Sequence, residues 1–442
     1  MNARPTNSGS GRKAIVATVI AVVLTTVIGV GVWRVFRGDG TLLRNVSVSS
    51  AEMSPNADGD NDLIQINYEI ARNATVSIFF ENADGEAFYF RRDRRRGTGE
   101  YQVLFSGVVE GYRLPDDMIQ GEILARLLQD GDYELVIEAF DTRGNREEVR
   151  QPLRVADADT ALPEMRDFSI NPKTFTPNRD GISDRTLIQY ALQKEANVRV
   201  ALVLPSGGEI PLFEKERDIP AGMPGRHYYD YEGGVDNGET PPADGVYEVT
   251  AFAEDAEGQK IIVRDTLTID LGGVPRADIF APASGDTFEV SATAIQLCDT
   301  LHFTMTVENY GETPIRTTGP APGTVYASNE NYNAIGWPTA SGAWRIAVGF
   351  ENELSNYQYR WAVGSDDDLV EIDGFSYLMP GQRALVTGGI KVVGPFGERN
   401  PQPIWAGLIH EDVEISQFNN RVDPKSILID LPDPENIEPC EP

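Results

Sequence analysis

Beyond its first forty positions, much of this chain alternates apolar with polar residues, and alternation of period two predicts half-buried β-strands. Ile64, Ile66, Tyr68 and Ile70 make one such run, and Thr186, Ile188, Tyr190 and Leu192 make a second. Leu301, Phe303, Met305 and Val307 make a third, with His302, Thr304, Thr306 and Glu308 between them. Further strands are predicted at 343–350, 357–363, 384–393 and 404–409. Turns rich in Gly, Asn and Asp separate the runs, which reads as antiparallel sandwich architecture. One segment departs from this pattern. In 113–129, Met118, Ile119, Ile123, Leu124, Leu127 and Leu128 follow helical spacing. That predicts a short amphipathic helix capping a sandwich, with a partner-binding helix as the alternative.

The alternation is organised by a repeat. Ser54-Pro55-Asn56-Ala57-Asp58-Gly59-Asp60-Asn61-Asp62 returns 122 positions later as Thr176-Pro177-Asn178-Arg179-Asp180-Gly181-Ile182-Ser183-Asp184. Each copy closes on Asp-Gly-x-Tyr (Asp130-Gly131-Asp132-Tyr133; Asp244-Gly245-Val246-Tyr247) and then reaches an Asp-x-x-Gly turn at Asp141 or Asp255. So long a period means two copies of one domain rather than a solenoid. The copies fall at 41–157 and 158–274, and a third, unrepeated β-domain at 285–442 ends in an acidic, Pro-rich tail.

The Pro-Asn-x-Asp-Gly-x-x-Asp tract with the later Asp-Gly-x-Tyr and Asp-x-x-Gly turns resembles the immunoglobulin-like domain of the flagellar hook-cap (FlgD) type. The second copy adds Tyr231-Glu232-Gly233-Gly234, close to that family's aromatic-acid-Gly turn. The resemblance covers both copies and implies tandem Ig-like modules of a bacterial surface protein, serving as spacer or assembly surface. In the third domain, Val307-Glu308-Asn309-Tyr310-Gly311 resembles a strand and turn of bacterial extracellular Ig-like sandwiches.

Residues 14–33 form twenty uncharged, mostly apolar positions, with Arg12 and Lys13 on one side and Arg34 and Arg37 on the other. A helix of that length spans about 30 Å, the thickness of a bilayer's hydrocarbon core. The run is longer than a signal-peptide core and lacks a small-x-small site, so an uncleaved single-pass anchor is predicted. It leaves a cytoplasmic tail at 1–13 and the bulk of the chain outside the cell membrane.

Net charge is -30, although residues 1–40 carry +4. So acidic a body repels phosphate backbones, which argues against nucleic acid as a partner. Three histidines and two cysteines cannot build the usual zinc clusters. Cys298 and Cys440 bracket the last third of the chain. In an oxidising compartment they would close a loop worth on the order of 4 kcal/mol, the alternative being two unpaired thiols.

Three groups of residues are candidate sites. Asn56, Asp58, Asp60 and Asp62 alternate oxygen ligands as calcium loops do, or else knot the turn by bonding its backbone. Tyr357, Tyr359 and Trp361 on one strand face, with Tyr332 and Trp337 in a loop, offer surfaces for stacking sugar rings, or else core. Arg91, Arg92, Arg94, Arg95 and Arg96 form a basic island able to dock an acidic neighbour, a second copy of this chain or an anionic polymer, or else a solvated hairpin arm interrupted by Asp93. No nucleophile elbow, phosphate loop or acid–base pair stands out, so no enzyme activity is expected and no cofactor is required, calcium aside. The sequence therefore reads as all-β. It consists of an N-terminal transmembrane helix followed by three Ig-like antiparallel β-sandwich domains that present the distal one to a surface protein or glycan. An accessory subunit of an envelope complex is the further alternative.

Overall fold

The computed structural model describes residues 41–214, 219–283, 285–351, 356–394, 399–430 and 440. The predicted membrane anchor at 14–33 lies outside the described residues. Among those described, no helix is long and apolar enough to cross a membrane. Among the described residues, strands and two short 3-10 turns make up the regular structure. The chain divides into two compact units: 1–118 with 122–163 and 254–261, and 119–121 with 164–253 and 262–442. The second repeat and the distal domain thus share a unit.

In the first unit, a three-stranded sheet has the order Leu43–Val48, Ile64–Ile70, Gly99–Phe105. It faces a five-stranded sheet ordered Glu52–Met53, Arg146–Val155, Gly131–Asp141, Ala74–Glu81, Ala87–Arg96. Ile64, Ile66, Tyr68 and Ile70 all point inward and are at most 2% exposed, meeting Val76, Ile78, Phe80 and Ile137. The alternation is what turns one face of each strand into core. The capping helix predicted at 113–129 is instead a strand, Glu122–Leu127, paired antiparallel with Val108–Glu110. Gly121 at φ 88° breaks any helix there. Ile123 and Leu127 sit on the buried side of the strand while Met118 is 98% exposed; a spacing of four, which helical periodicity favours, also keeps residues on one face of a strand.

The second copy repeats the first in detail. Leu43 pairs with Ile70 and Met165 with Leu192, each ladder shifting register after the next residue, at Arg44 and Arg166. The residues in left-handed conformation repeat too: Asn45 and Asp167, Ala57 and Arg179, Asn61 and Ser183. A short strand just before each tract pairs in parallel with the module's last strand: Glu52–Met53 with Arg146–Val155, and Thr174–Phe175 with Lys260–Ile269.

The distal sandwich packs the sheet of Ala277–Ile279, Thr300–Asn309, Arg383–Lys391 and Val325–Ala327 against a larger sheet. That larger sheet is centred on Trp344–Phe350, Gln402–His410 and Val422–Asp430. Its core begins at Ala277 and Ile279, upstream of the boundary read at 285. Cys298 and Cys440 are bonded, with Cα atoms 5.4 Å apart.

Candidate functional site

Both tracts fold into the same knot of side-chain-to-backbone bonds. Asp62 accepts from the backbone N–H groups of Asn56 (3.1 Å), Ala57 (2.9 Å) and Gly59 (2.7 Å). Asn56 Oδ1 accepts from Asp58 N, and Asp58 Oδ1 from Asp60 N at 2.8 Å. In the second copy Asp184 accepts from Asn178, Asp180 and Gly181, Asn178 from Asp180, and Asp180 from Ile182. Asx oxygens here replace the backbone carbonyls a regular turn would use. Of the four candidate calcium ligands in the first copy, Asn56, Asp58 and Asp62 therefore commit side-chain oxygens to the turn, and Asp60 joins it through its backbone N–H. Among the described residues, no group of three or more His, Cys, Asp or Glu side chains converges on a metal position.

The two knots differ in what covers them. Asp58 and Asp60 are exposed, whereas Asn178 is 1% and Asp180 3% exposed. The distal sandwich seals the second knot. Arg316 Nε donates to the Asp180 carbonyl at 2.6 Å, and its other end donates to the Ser341 carbonyl. The Tyr377 hydroxyl donates to Asp180 Oδ2 at 2.8 Å. His410 lies stacked on Trp344 with ring centroids 4.4 Å apart, and its Nε2 donates to the Arg179 carbonyl at 2.7 Å. A carbonyl only accepts, so this contact fixes the proton on Nε2. Burial pulls the His410 pKa down to about 4. Burial, and then the neighbouring Asp180, pushes Asp184 up to about 6.

Gly342 makes the close approach possible. Its φ is 77°, and a β-carbon there would lie 2.1 Å from the Asp180 carbonyl carbon. Gly342→Ala is expected to wedge the joint open and cost on the order of 2 kcal/mol, from left-handed strain and lost hydrogen bonds. Faster proteolysis within 270–276, with the cores of both domains still folded, is the readout. Unchanged cleavage would show that the joint tolerates a methyl group.

The aromatic candidates divide. Tyr357, Tyr359 and Trp361 are 0% exposed, which corrects their reading as a sugar-stacking strip. Tyr359–Ala362 pairs with the fully buried Trp344–Phe350, and Trp361 meets Phe303 edge-on at 4.6 Å. Their polar tips bond internally: Tyr359 to the Ser328 carbonyl, Trp361 to the Thr324 carbonyl, and Tyr357 to Asn420. Tyr332 is also buried, with the Arg360 guanidinium 4.4 Å above its ring. Trp337, at 37%, is the candidate aromatic that remains accessible. Beside Tyr332 opens a shallow depression of about 340 Å3 lined by Thr339, Arg360, Glu411 and Glu414.

Under that depression lies an ion triad. Glu411 pairs with Arg360 (2.6 Å) and Arg345 (3.2 Å), and both Glu411 and Arg345 are at most 2% exposed. Burial pulls the Arg345 guanidinium below its ordinary value while the Glu411 carboxylate opposes that. Arg345 Nε also donates to the Thr318 carbonyl and its NH2 to Pro338 O. Neither this triad nor the joint was drawn from the sequence. The available signal was an arginine inside an otherwise apolar strand, Trp344-Arg345-Ile346-Ala347-Val348.

The arginine island lies on Ala87–Arg96, the edge strand of the first unit's five-stranded sheet. Arg92 pairs with Glu110 at 3.0 Å and covers the Tyr89 ring at 3.7 Å. Arg91 lies 5.0 Å over Phe90, its pKa lowered by burial and then by Arg96 and Arg94. Asp93 takes a left-handed φ of 51° where the ladder breaks register, so the arginines do not form one flat row.

No family model matches this chain, and neither does any curated protein. Among solved structures it is similar to a Ca2+-stabilised adhesin with which an Antarctic bacterium reaches out and binds ice. That match has 10% identity over 88% of this chain and 75% of the other, with TM-score 0.23. It is similar also to a tetra-tandem repeat in the extending region of a large adhesion protein: 10% identity, 84% and 71% coverage, TM-score 0.20. A third is SGBP-B of the Bacteroides ovatus mixed-linkage glucan utilisation locus, in complex with a heptasaccharide. Its match has 11% identity, 91% and 70% coverage, and TM-score 0.15. At these identities and scores the likeness assigns neither ligand nor activity.

Proposed function

We propose that this is a non-enzymatic, membrane-anchored extracytoplasmic interaction protein in which tandem Ig-like modules carry a distal sandwich toward a surface partner. The observation that supports it is the sealed second knot. The repeated turn, exposed in the first module, is used in the second to hold the distal sandwich through Arg316, Tyr377 and His410. A carrier of this kind needs a fixed angle at its last joint more than it needs a pocket. The hook-cap-type tracts and the apolar run at 14–33 fit the same reading.

A second reading is glycan binding by the distal domain, favoured by accessible Trp337 and by the polar depression beside Tyr332. Photo-crosslinking from position 337 on intact cells separates the two. A single protein adduct supports the carrier reading. Adducts lost on adding soluble polysaccharide, together with polysaccharide binding that falls at least about tenfold in Trp337→Ala, support the glycan reading, since stacking is worth roughly 1–2 kcal/mol. Neither adduct nor polysaccharide binding would sink both.

A further inference from the structure

The ladders of the first unit put several arginines at one end. Arg94, Arg95 and Arg96 stand opposite Val76, Thr75 and Ala74. Ala74 is paired on its other side with Asp141, which brings the turn bearing Arg143 to the same end. Ile70 pairs with both Leu43 and Gly99, which adds Arg44. Arg94, Arg95 and Arg143 are exposed. Among the described residues, neither they nor Arg44 has a carboxylate partner.

The acids at that end are engaged apart from Glu100, which stands exposed opposite Glu69. Asp141 is held by Arg72 and Asn145, Glu147 accepts the amides of Leu42 and Leu43, and Glu69 accepts from Asn45. The opposite end of the same sandwich carries Asp58, Asp60, Asp84, Asp130, Asp132 and Asp157 against Arg154. This module is therefore a charge dipole, basic where the chain enters it and acidic where the last strand leaves it.

The basic end is also the one nearest the predicted anchor. Nine residues, 34–42, separate the apolar run from Leu43, and even fully extended they reach only about 30 Å. Arg34 and Arg37 lie within them. We infer that this arginine pole rests on the anionic lipid headgroups of the bilayer in which the chain is anchored. It would set the first module upright, because the same surface repels the acidic end. The inference rests on the anchored reading proposed above. Basic side chains near an anionic surface gain attraction that dies away within a Debye length of about 8–10 Å, which the short tether allows.

The test uses the full chain in lipid nanodiscs, with a donor dye on Thr98→Cys and acceptor-labelled lipid. Energy transfer is compared between pure phosphatidylcholine and discs of about one-third phosphatidylglycerol. The pole predicts transfer about twofold higher in the anionic discs, lost at about 1 M salt and in Arg94→Glu/Arg95→Glu/Arg143→Glu, and kept in the matching lysine variant. A chain that inserts but transfers equally in both lipids overturns the inference and spares the anchor. A chain that enters neither disc overturns both. Equal transfer together with tight binding of a polyglutamate peptide, lost in the glutamate variant, would assign the pole to an acidic protein instead and overturn it too.

Discussion

Replacing Glu411 by glutamine is expected to cost the distal sandwich about 3–5 kcal/mol, the usual penalty for stranding a buried charge. Glu411 is the single carboxylate between two guanidiniums, 3.2 Å from Arg345 and 2.6 Å from Arg360. Arg345 is 0% exposed, so removing its counter-charge leaves a cation with no route to water. Glutamine keeps the shape and an acceptor oxygen, which isolates the charge as the quantity lost. Pairing the change with Arg345→Met should recover part of the loss, since removing both charges removes most of the desolvation problem. Urea unfolding followed by near-ultraviolet circular dichroism of the tryptophan-rich distal domain would check it. A loss below about 1 kcal/mol would mean that water reaches the triad through the depression above it.

Opening the Cys298–Cys440 bond is expected to cost the same domain about 4 kcal/mol, because it frees a loop of 142 residues in the unfolded chain. For a domain of this size that corresponds to a fall in Tm of about 10 °C. The folded ends are already close. Cys298 N donates to the Val392 carbonyl, and Cys440 Sγ lies 3.7 Å from the same oxygen. Thermal melts of the Cys298→Ser/Cys440→Ser variant, and of the native chain with and without reductant, provide the measurement. The transition of the first module, which holds no cysteine, should not move. Equal melting of oxidised and reduced chain would confine the bond to tethering the tail.

The class of the fold was legible because it is written in short-range patterns. Alternation at Ile64, Ile66, Tyr68 and Ile70 reports a buried face wherever a strand has one. The same rule misled at 357–361, where Tyr357, Tyr359 and Trp361 read equally as a sugar platform and as core. Only the pairing of Tyr359–Ala362 with Trp344–Phe350 chose between them. It was ambiguous again at 118–128, where Ile119, Ile123 and Leu127, each four apart, fit both periods and Gly121 with the Val108–Glu110 edge chose strand. The triad was invisible for a different reason: Arg345 and Glu411 lie 66 residues apart, and nothing local announces that they meet.

The paired tracts separate the two sources of information most cleanly. Every bond that closes the knot joins residues two to six positions apart, so nine residues of sequence suffice to build it, and they build it twice. What each knot is for depends on bonds spanning 136 residues to Arg316, 197 to Tyr377 and 231 to His410. Local hydrogen bonds are fixed by the order of residues along the chain. Burial is fixed by which distant surface arrives, and here that surface covers one copy of the repeated turn and makes it a joint.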